Sequence, residues 1–471
     1  MTEVPKVLPQ KTPPKNRATA LSPARKAAFD VLQAVELGQS HSDELLRSRA
    51  VNALSLADRN LATALVLGVL RSQIRLDQQI QAYLQRPNAK LDTEIRIALR
   101  LGAFQILHMD RIPARAAIDE SVELAKRVGQ RFASGMVNAV LRKLAAAPRV
   151  HLPEATAAEL ALSQSHPLWM VERWVSFFGL EAAAAICHHG QMQPMITVRL
   201  ESPAVEAELS ASGISLEAAE LLNSARAVLS GEVTASAAFR EGRARLQDEG
   251  SQLVAELAGF SGAPGQPVGS IVDMCAAPGG KTLILAERNP QARILACESS
   301  KTRLEQMKQR LAGLGTRLEC RLIDAATLDE PATFDLALAD VPCSGTGTLG
   351  RNPEIRHRLR PEDLERQAER QREILKAALR SVRPGGRVVY STCSLEPEEN
   401  EQVVAAVLAA EPGAHLVSLD ARLDDLLRAG ILTDSSARSL RAALTPEGCL
   451  RLLPGRFQTD GFFIAQIERT A

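Results

Sequence analysis

The stretch Asp273–Thr282 reads DMCAAPGGKT, and it follows the short run SIV at Ser270–Val272. The run is typical of a buried strand, and the small residues and glycines after it let the backbone approach a ligand closely. A helix that begins at the end of this stretch would direct free backbone N–H groups at the same ligand. The stretch therefore predicts a strand–turn–helix unit that binds a nucleotide-like cofactor, although a plain tight turn would use similar residues.

Strand-like segments continue beyond this unit and are separated by helical patterns or turns. They read ARILACE, LECRLI, FDLALAD and GGRVVYST, and the segment TDGFFIAQI near the end of the sequence is of the same kind. Alternating strands and helices predict a parallel, doubly wound sheet whose ligand lies at the carboxyl ends of the strands. We therefore expect an α/β, Rossmann-like domain in the second half of the chain.

Two classes of cofactor would suit the loop at Cys275–Lys281. The first is a nucleoside triphosphate, because Gly280-Lys281-Thr282 matches the second half of the phosphate-binding pattern GxxxxGK[ST], and the strand FDLALAD can supply an aspartate. However, Cys275 stands where the first glycine belongs, and Pro278 removes an N–H that the phosphates would use. Nucleotide hydrolysis is therefore the second-ranked alternative.

The second class is a cofactor that acidic side chains hold. Glu298, Asp324 and Asp340 end the next three strands, and Glu298 lies 25 residues after Asp273. This spacing is close to that at which a carboxylate accepts ribose hydroxyls in dinucleotide sites. Carboxylates at successive strand ends would repel a triphosphate, but they suit a ligand with a ribose, an adenine amino group and a cationic sulfonium. S-adenosylmethionine is such a ligand.

The first third of the chain has helical periodicity and a basic composition. Segments such as DRNLATALVLGVLR have apolar residues at helical spacing, and Ser22-Pro23 predicts the N-terminus of the first helix. Residues 1–150 contain 23 Lys and Arg against 13 Asp and Glu, a balance of +10, which leaves −9 for residues 151–471. This part predicts an all-helical domain whose charge suits a phosphate backbone, although such charge is also common on solvated faces.

Composition divides the chain into four segments. Residues 1–21 are rich in Pro, Lys and Thr and predict a flexible basic tail. The helical domain is expected over residues 22–147. A linker and a small α/β subdomain are expected over residues 148–245, where prolines interrupt the helical pattern before the segment MITVRLESP. The Rossmann-like domain follows at residues 246–471.

Neither a membrane protein nor a disulfide-rich secreted protein fits this composition. The longest apolar run, LATALVLGVL, is about half as long as a membrane span, and the start of the sequence has no apolar signal-peptide region. The seven cysteines are odd in number and lack the spacing of a disulfide framework or a zinc site. We expect a cytoplasmic protein with reduced thiols, no membrane partner and no metal.

Two cysteines follow strand-like segments and lie in polar turns. Cys343 belongs to DVPCSGT at Asp340–Thr346, and Cys393 belongs to YSTCSLEPEENE at Tyr390–Glu401. Free cysteine is among the most buried residue types, and a cysteine that only fills a core usually lies within an apolar run. The position of both thiols just beyond a strand therefore predicts a chemical role for each.

Three segments carry a family resemblance. CAAPGGK, DVPCSGTGTLGRNPEIR and YSTCSLEPEENE are similar, in this order, to the signature motifs of the RNA 5-methylcytosine methyltransferases of the NOL1/NOP2/Sun family. The helical region resembles the NusB-like RNA-binding domain, a combination that is similar to bacterial methyltransferases of small-subunit rRNA. The resemblance implies S-adenosylmethionine as cofactor and 16S rRNA, free or in an early small-subunit particle, as partner.

The resemblance also assigns the site residues. The cofactor would be held by the loop and the strand-end carboxylates: Cys275, Ala276, Ala277, Pro278, Gly279, Gly280, Lys281, Glu298, Asp324 and Asp340. Aspartate is as common as glutamate at the position of Glu298, and the longer side chain should still reach a ribose.

The chemistry explains why two cysteines would be needed. Carbon 5 of cytosine is too weakly nucleophilic to take a methyl group unaided, whereas a thiolate that adds at carbon 6 raises the electron density at carbon 5. Charge then develops on ring nitrogen N3, and Asp340 is the candidate acid. The residues alone do not decide which cysteine attacks, because DNA cytosine methyltransferases use a Pro-Cys motif that would indicate Cys343. The RNA family implies attack by Cys393 and release by Cys343.

The prediction from sequence is therefore an S-adenosylmethionine-dependent methyltransferase that makes 5-methylcytosine in 16S rRNA. Two alternatives stay open at this point. One is a nucleotide hydrolase that turns over ATP without RNA, and the other is an RNA-binding factor that binds no cofactor.

Overall fold

The structure is a computed structural model that describes residues 21–86, 90–259 and 268–470. The chain divides into two compact units, Met1–His151 and Leu152–Ala471. The first unit is helical and the second is built on two β-sheets, so the predicted fold class is confirmed. The finer domain boundaries, among them those at residues 147 and 245, stay predictions.

The described part of the first unit consists of helices and their connections. They are α1 (Pro23–Glu36), α2 (Ser42–Leu46), α3 (Arg49–Asn52), α4 (Leu56–Gln81), α5 (Thr93–His108), α6 (Ala114–Arg127) and α7 (Ser134–Ala146), with a 3-10 turn at Arg131–Ala133. The Ser22 hydroxyl caps α1 by accepting a hydrogen bond from the backbone N–H of Arg25, as the sequence predicts. The apolar faces of these helices form the core, in which Leu65 and Leu101 are fully buried.

The tail predicted at residues 1–21 lies outside the described residues except for its last residue. Leu21 is buried and packs in the core of the helical unit. It directly precedes the N-cap of α1, a position from which an apolar side chain commonly packs against the first turns of the helix.

The second unit begins with two helices and a small sheet. Its elements are α8 (Ala157–Ser163), α9 (Leu168–Gln191), β1 (Thr197–Leu200), α10 (Pro203–Ala211), β2 (Ser215–Ala218), β3 (Ala225–Ser230), α11 (Ala237–Arg240) and β4 (Ala244–Leu246), with a 3-10 turn at Val233–Ala235. The strands lie in the order β2-β3-β1-β4. Each neighbouring pair is antiparallel, so this is the small α/β element that the sequence predicts.

The larger sheet and its helices follow. The helices are α12 (Glu249–Gly259), α13 (Gly280–Arg288), α14 (Lys301–Leu311), α15 (Ile355–Arg358), α16 (Pro361–Ser381), α17 (Glu401–Ala410), α18 (Asp420–Arg428) and α19 (Asp434–Arg441). The strands are β5 (Ser270–Asp273), β6 (Arg293–Glu298), β7 (Leu318–Leu322), β8 (Phe334–Asp340), β9 (Val382–Thr392), β10 (Ala414–Val417), β11 (Leu450–Leu452) and β12 (Phe462–Arg469). Short 3-10 segments occur at Ala312–Arg317, Ala325–Thr327, Thr346–Thr348 and Pro397–Glu399.

The larger sheet is mixed rather than wholly parallel. Its strand order is β10-β12-β9-β8-β5-β6-β7, with β11 paired to β12. The five strands from β9 to β7 are parallel, but β12 runs antiparallel to β9, β10 and β11. The expectation of a parallel sheet is therefore wrong at this end. The connection from β11 to β12 contains no helix and makes these two strands antiparallel neighbours, and β12 also pairs with β9 in the antiparallel sense.

Helices cover both faces of the parallel strands. Ile271 on β5 packs in a cluster with residues of α12 and α13, and its neighbour Val272 packs on the opposite face with residues of α16. Burial on both faces explains why these strands read as continuous apolar runs. Among the described helices, none is both long and apolar enough to cross a bilayer.

Candidate active site

The carboxyl ends of β5, β6 and β8 open into a cleft of about 190 Å³. This is the edge at which a parallel α/β sheet binds its ligand. Many predicted site residues line the cleft, namely Cys275, Ala277, Glu298, Asp324, Asp340, Cys343 and Cys393. The structure thus brings part of the cofactor loop, the strand-end carboxylates and both cysteines into one place.

The other predicted residues of the loop shape the turn between β5 and α13. They are Ala276, Pro278, Gly279, Gly280 and Lys281. The N–H of Ala276 donates to the carbonyl of Cys297 on β6 at 2.9 Å, and the N–H of Gly279 donates to the carbonyl of Ala276 at 2.7 Å. Gly279 has φ +97°, a left-handed conformation that favours glycine. The turn is therefore tight, and α13 begins directly behind it.

Glu298 lies at the end of β6 as a buried carboxylate. It accepts a hydrogen bond from the backbone N–H of Ser300 at 2.7 Å. The Arg303 guanidinium lies 3.5 Å from it and also donates to the carbonyl of Ala277 at 2.9 Å. Arg303 thus joins Glu298 to the cofactor loop. The sequence gives no signal for this contact, because an arginine in the first turns of a helix is usually solvated.

Asp273 ends β5 and is buried at the base of the site. One of its oxygens accepts a hydrogen bond from the Thr282 hydroxyl at 2.7 Å, while Oδ1 has no hydrogen-bond partner among the described residues. Burial, together with the charge of Asp340, raises the pKa of Asp273 to about 7, against the opposing effect of the Thr282 hydrogen bond. Asp273 was not predicted as a site residue, although the residue ends the first strand.

Asp324 is more exposed than the other carboxylates. Its side chain accepts a hydrogen bond from the backbone N–H of Ala326 at 3.1 Å and so caps the 3-10 turn at Ala325–Thr327. The Arg370 guanidinium on α16 lies 3.9 Å away. Asp324 therefore borders the cleft from the third strand, as predicted, with much of its side chain open to solvent.

Together, these residues fit an adenosine-containing cofactor with a positive charge. A buried carboxylate at the end of β6 is the group that binds a ribose in related sheets, and Asp273 Oδ1 is a buried acceptor without a donor. A triphosphate fits poorly, because Lys281, the residue that would bind phosphate oxygens, is engaged by Asp340. Among the described residues, no three His, Cys, Asp or Glu side chains are arranged to hold a metal ion.

Asp340 at the end of β8 connects the cofactor loop to the strand of Cys393. Its Oδ2 accepts a hydrogen bond from Lys281 Nζ at 2.8 Å, and its Oδ1 accepts one from the Ser391 hydroxyl at 2.7 Å. Burial acts to lower the pKa of Lys281, but the Asp340 carboxylate outweighs it, so the pKa is raised and the side chain stays an ammonium. Lys281 was predicted only as part of the loop, and its position beside Asp340 is new.

The two cysteines meet beside this ion pair. Residues Asp340 and Ser391 are paired in register on the parallel strands β8 and β9, so the turns after both strands emerge side by side. The Sγ atoms of Cys343 and Cys393 are 3.2 Å apart. Asp340, Cys343 and Cys393 line the same cleft, and Lys281 is bonded to Asp340, so the ion pair and the two thiols belong to one site.

The pair of thiols is asymmetric. The hydrogen bond to Cys393, followed by burial and by the charge of Cys393, raises the pKa of Cys343 well above its usual value. Cys343 therefore holds its proton more tightly than an ordinary cysteine does.

The turns that hold the cysteines are packed backbone to backbone. The N–H of Gly347 donates to the carbonyl of Cys393 at 2.9 Å, and the N–H of Gly461 donates to the carbonyl of Gly347 at 2.8 Å. A Cβ added at Gly347 would lie 2.6 Å from the carbonyl oxygen of Gly461 and 2.8 Å from that of Cys393. Only glycine fits here, and the turns of both cysteines are locked to the segment that leads into β12.

The remaining cysteines have no comparable surroundings. All seven are free thiols, and Cys187, Cys297 and Cys449 are buried in the core. Burial raises the pKa of each of these three to about 12. These three thiols therefore serve to fill the core.

Comparison with known proteins identifies each unit. Residues 22–146 match the sequence model of the NusB family. Residues 264–468 match the model described as 16S rRNA methyltransferase RsmB/F.

Whole-chain relatives agree with these matches. A probable ribosomal RNA small subunit methyltransferase B of Bacillus subtilis is 33% identical, over 94% of this chain and 98% of the relative. The ribosomal RNA small subunit methyltransferase B of Xanthomonas campestris is 31% identical, over 95% of this chain and 97% of the relative. Among solved structures, that of PH0851 matches with a TM-score of 0.76 at 25% identity, over 96% of this chain and 99% of that chain.

Proposed function

Because this chain belongs to the RsmB/F family of 16S rRNA methyltransferases, we propose that it methylates carbon 5 of a cytosine in 16S rRNA through a covalent cysteine–cytosine adduct. The methyl donor is S-adenosylmethionine. The observation that carries the proposal is the thiol pair, with sulfurs 3.2 Å apart beside the Lys281–Asp340 ion pair and in the cofactor cleft. Bacterial rRNA is made and matured in the cytoplasm, and we place the protein there.

The residues that would hold the cofactor are the loop at Cys275–Lys281, Glu298, Asp324 and Asp340. When bound, S-adenosylmethionine supplies an electrophilic methyl group on a sulfonium. The buried Glu298 carboxylate suits the ribose hydroxyls, and the apolar side chains of Ile323 and Val341 in the same cleft suit an adenine ring.

Attack on the ring falls to Cys393. Its thiolate forms a bond to carbon 6 of cytosine, and the electron pair of the 5,6 double bond moves toward carbon 5 and N3. The Lys281 ammonium, held at this site by Asp340, is the cation that would stabilise the thiolate during attack. Cys343 is unsuited to this role because its proton is retained.

Asp340 and Lys281 together neutralise the charge that develops on N3. In the structure, Asp340 only accepts hydrogen bonds, so it acts as an acid only with a proton from Lys281 Nζ, 2.8 Å away. We assign the proton to Lys281 and its delivery toward N3 to Asp340, which extends the prediction that named Asp340 alone. The Ser391 hydroxyl keeps the carboxylate oriented.

Release of the product falls to Cys343. Once Cys393 is bonded to carbon 6, it no longer carries charge or accepts a strong hydrogen bond, so its two contributions to the raised pKa of Cys343 are removed, while burial and the charge of Glu399 still act. Cys343 then loses its proton to solvent and its thiolate takes the proton from carbon 5. The electron pair left behind restores the 5,6 double bond and expels Cys393 as a thiolate, and the proton on N3 returns through Asp340 to Lys281. The resting pair is regenerated and one proton is released per turnover.

The reaction is tested with purified protein, 16S rRNA and S-adenosylmethionine, followed by nucleoside mass spectrometry. The expected product is 5-methylcytidine at one cytosine. Methylation of another base, or of another atom of cytosine, would overturn the proposal. Free rRNA and small-subunit particles are supplied in separate reactions, so that the preferred substrate is measured in the same experiment.

Calorimetry with S-adenosylhomocysteine separates the proposal from the two alternatives. Saturable binding at one site is expected from the carboxylates of the cleft. Absence of binding would favour a non-catalytic RNA-binding factor, and ATP turnover without RNA would favour a nucleotide hydrolase.

Replacing Cys343 by alanine is expected to trap the covalent intermediate. Attack and methyl transfer remain possible, but the base that removes the carbon 5 proton is lost, so the fraction of protein bound to RNA should rise at least about tenfold. Denaturing gel electrophoresis of the reaction mixture measures it.

The matched control is Cys320→Ala, which removes a partly buried thiol on β7 that does not line the cleft. It should leave the adduct at the wild-type level. Product formation by Cys343→Ala at the wild-type rate would remove Cys343 from the mechanism.

We also propose that the helical unit binds the rRNA. Residues 1–150 carry the net charge of +10, and several arginines of this unit are open to solvent, such as Arg115 and Arg47 with 92% and 81% of their side chains exposed. Exposed arginines on a compact unit suit contacts with phosphates, whereas the cofactor site lies within the second unit.

Deletion of residues 1–150 is therefore expected to separate the two functions. Affinity for S-adenosylhomocysteine should stay nearly unchanged, while RNA binding weakens. The slope of the logarithm of the RNA-binding constant against the logarithm of the salt concentration should also decrease in size by about one for each lost phosphate contact. Calorimetry and filter binding at several salt concentrations measure these effects, and circular dichroism checks the fold.

Deletion of residues 1–21 alone is the control that isolates the predicted basic tail. A folded protein that lacks residues 1–150 but keeps the full RNA affinity and salt slope would show that the charges of the helical unit are only solvated.

A further inference from the structure

One of the buried carboxylates without a role in the mechanism above lies next to both cysteine turns. Glu399 is fully buried, and it ends the 3-10 turn at Pro397–Glu399, shortly after Cys393. A buried carboxylate is costly unless its oxygens are well satisfied by hydrogen bonds, so its partners indicate what it is for.

Glu399 accepts hydrogen bonds at both oxygens. Oε1 accepts from the backbone N–H of Ser344 at 2.8 Å and from the Gln371 amide at 2.9 Å. Oε2 accepts from the hydroxyls of Ser344 and Ser394. All four donors are neutral groups, so these hydrogen bonds position the carboxylate without neutralising it.

These partners are the immediate neighbours of both thiols. Ser344 follows Cys343 in the sequence, and Ser394 follows Cys393. Gln371 on α16 donates from the same amide nitrogen to the carbonyl of Pro342, the residue before Cys343, at 2.9 Å. One side chain therefore holds the turn of Cys343 against the turn of Cys393.

We propose that Glu399 is a positioning residue for product release: it fixes the two cysteine turns at the separation at which Cys343 can act on the adduct that Cys393 forms. The proposal rests on the proposed function, because it needs a covalent adduct. Glu399 touches neither ring nor cofactor in this scheme, and it acts only through Ser344, Ser394 and Gln371.

Charge supports the same assignment. The negative charge of Glu399 contributes to the raised pKa of Cys343. A carboxylate at this place thus makes the Cys343 thiolate a stronger base for the proton on carbon 5, which is the step that release requires. A neutral side chain of the same shape loses this effect and also presents an NH₂ group to four donors.

Glu399→Gln in the full-length protein tests the proposal. With 16S rRNA and S-adenosylmethionine, single-turnover methyl transfer should stay within about threefold of wild type, whereas release should slow by about 10-fold to about 100-fold, the loss expected from a misplaced reacting group. The RNA-bound fraction on a denaturing gel should rise accordingly. The pH dependence of release should also shift to lower pH, since Cys343 loses a neighbouring negative charge.

Two further variants keep the test decisive. Ser344→Ala removes one hydroxyl donor to Glu399 but keeps the backbone donor. The level of the adduct should therefore rise, but less than is expected for Glu399→Gln. This result can be measured even if Glu399→Gln does not fold. Glu396→Gln is the matched control, because Glu396 is also fully buried in this segment but is bonded to Arg173 and Trp174. It should lower the melting temperature without a rise of the adduct.

The outcomes separate this inference from the proposed function. In one outcome, Cys343→Ala accumulates the adduct, but Glu399→Gln and Ser344→Ala both keep the wild-type level. This outcome would overturn only the positioning role of Glu399. In another outcome, Glu399→Gln slows methyl transfer and release equally and, like Glu396→Gln, lowers the melting temperature without a rise of the adduct. That result would show that Glu399 has only a structural role. No adduct in Cys343→Ala would overturn the covalent mechanism and this inference with it.

Discussion

Cys393→Ala is expected to abolish both methylation and the covalent adduct. No other described group of the cleft combines a sulfur, a neighbouring ammonium and a partner thiol that keeps its proton. Loss of a covalent nucleophile removes the pathway rather than slowing it, so the rate should fall by at least about four orders of magnitude. Incorporation of labelled methyl groups into 16S rRNA and denaturing gels measure the two losses.

The Cys393→Ala protein should still bind S-adenosylhomocysteine with wild-type affinity, which shows that the cleft is intact. Cys320→Ala is again the control for removal of a thiol outside the site. If Cys343→Ala abolished the adduct and Cys393→Ala accumulated it, the roles of the two cysteines would have to be exchanged.

Asp340→Asn is expected to reduce turnover by at least about 100-fold, the lower end of the range for a general acid. Asparagine cannot pass a proton from Lys281 to N3. Its NH₂ group would also face the Lys281 ammonium or the Ser391 hydroxyl, both of which donate to Asp340. Turnover is measured at saturating S-adenosylmethionine, so that a weaker cofactor site is not mistaken for slower chemistry.

Asp335→Asn is the matched control on the same strand. Asp335 lies near the start of β8, away from the cleft, where it accepts hydrogen bonds from the backbone N–H groups of Gly269 and Ser270. This variant should lose stability and keep its turnover per folded molecule. Near-normal turnover of Asp340→Asn would remove Asp340 from the mechanism.

The strands of the larger sheet are predictable because their signal is local. Apolar runs such as those of β5 and β8 are buried on both faces, and each ends at the polar residue that enters the site. The direction of β12 is not predictable in this way. An apolar strand reads the same whether its neighbour is parallel or antiparallel, and the short connection from β11 fixes only the pairing of β12 with β11, not its pairing with β9.

The site residues that could be predicted are those whose residue type, at or just after the end of a strand, already indicates a function. Glu298, Asp340, Cys343 and Cys393 belong to this class, and all four line the cleft. Contacts between distant segments were not predicted. The side chains of Arg303 and Glu399 have an ordinary interpretation in the sequence, and Lys281 is predicted only as part of the loop. The contacts that make all three important are brought about by the fold.

The place of β9 in the sheet also determines when the site forms as the chain folds. Tyr390 on β9 is paired with Ala339 on β8 and with Ala465 on β12, both of which are far away in the sequence. Such pairs close long loops, which is slow compared with the local contacts of the helical unit. We therefore expect the helices to form early and the reactive thiol pair late, so that an incompletely folded chain holds two separate, ordinary thiols.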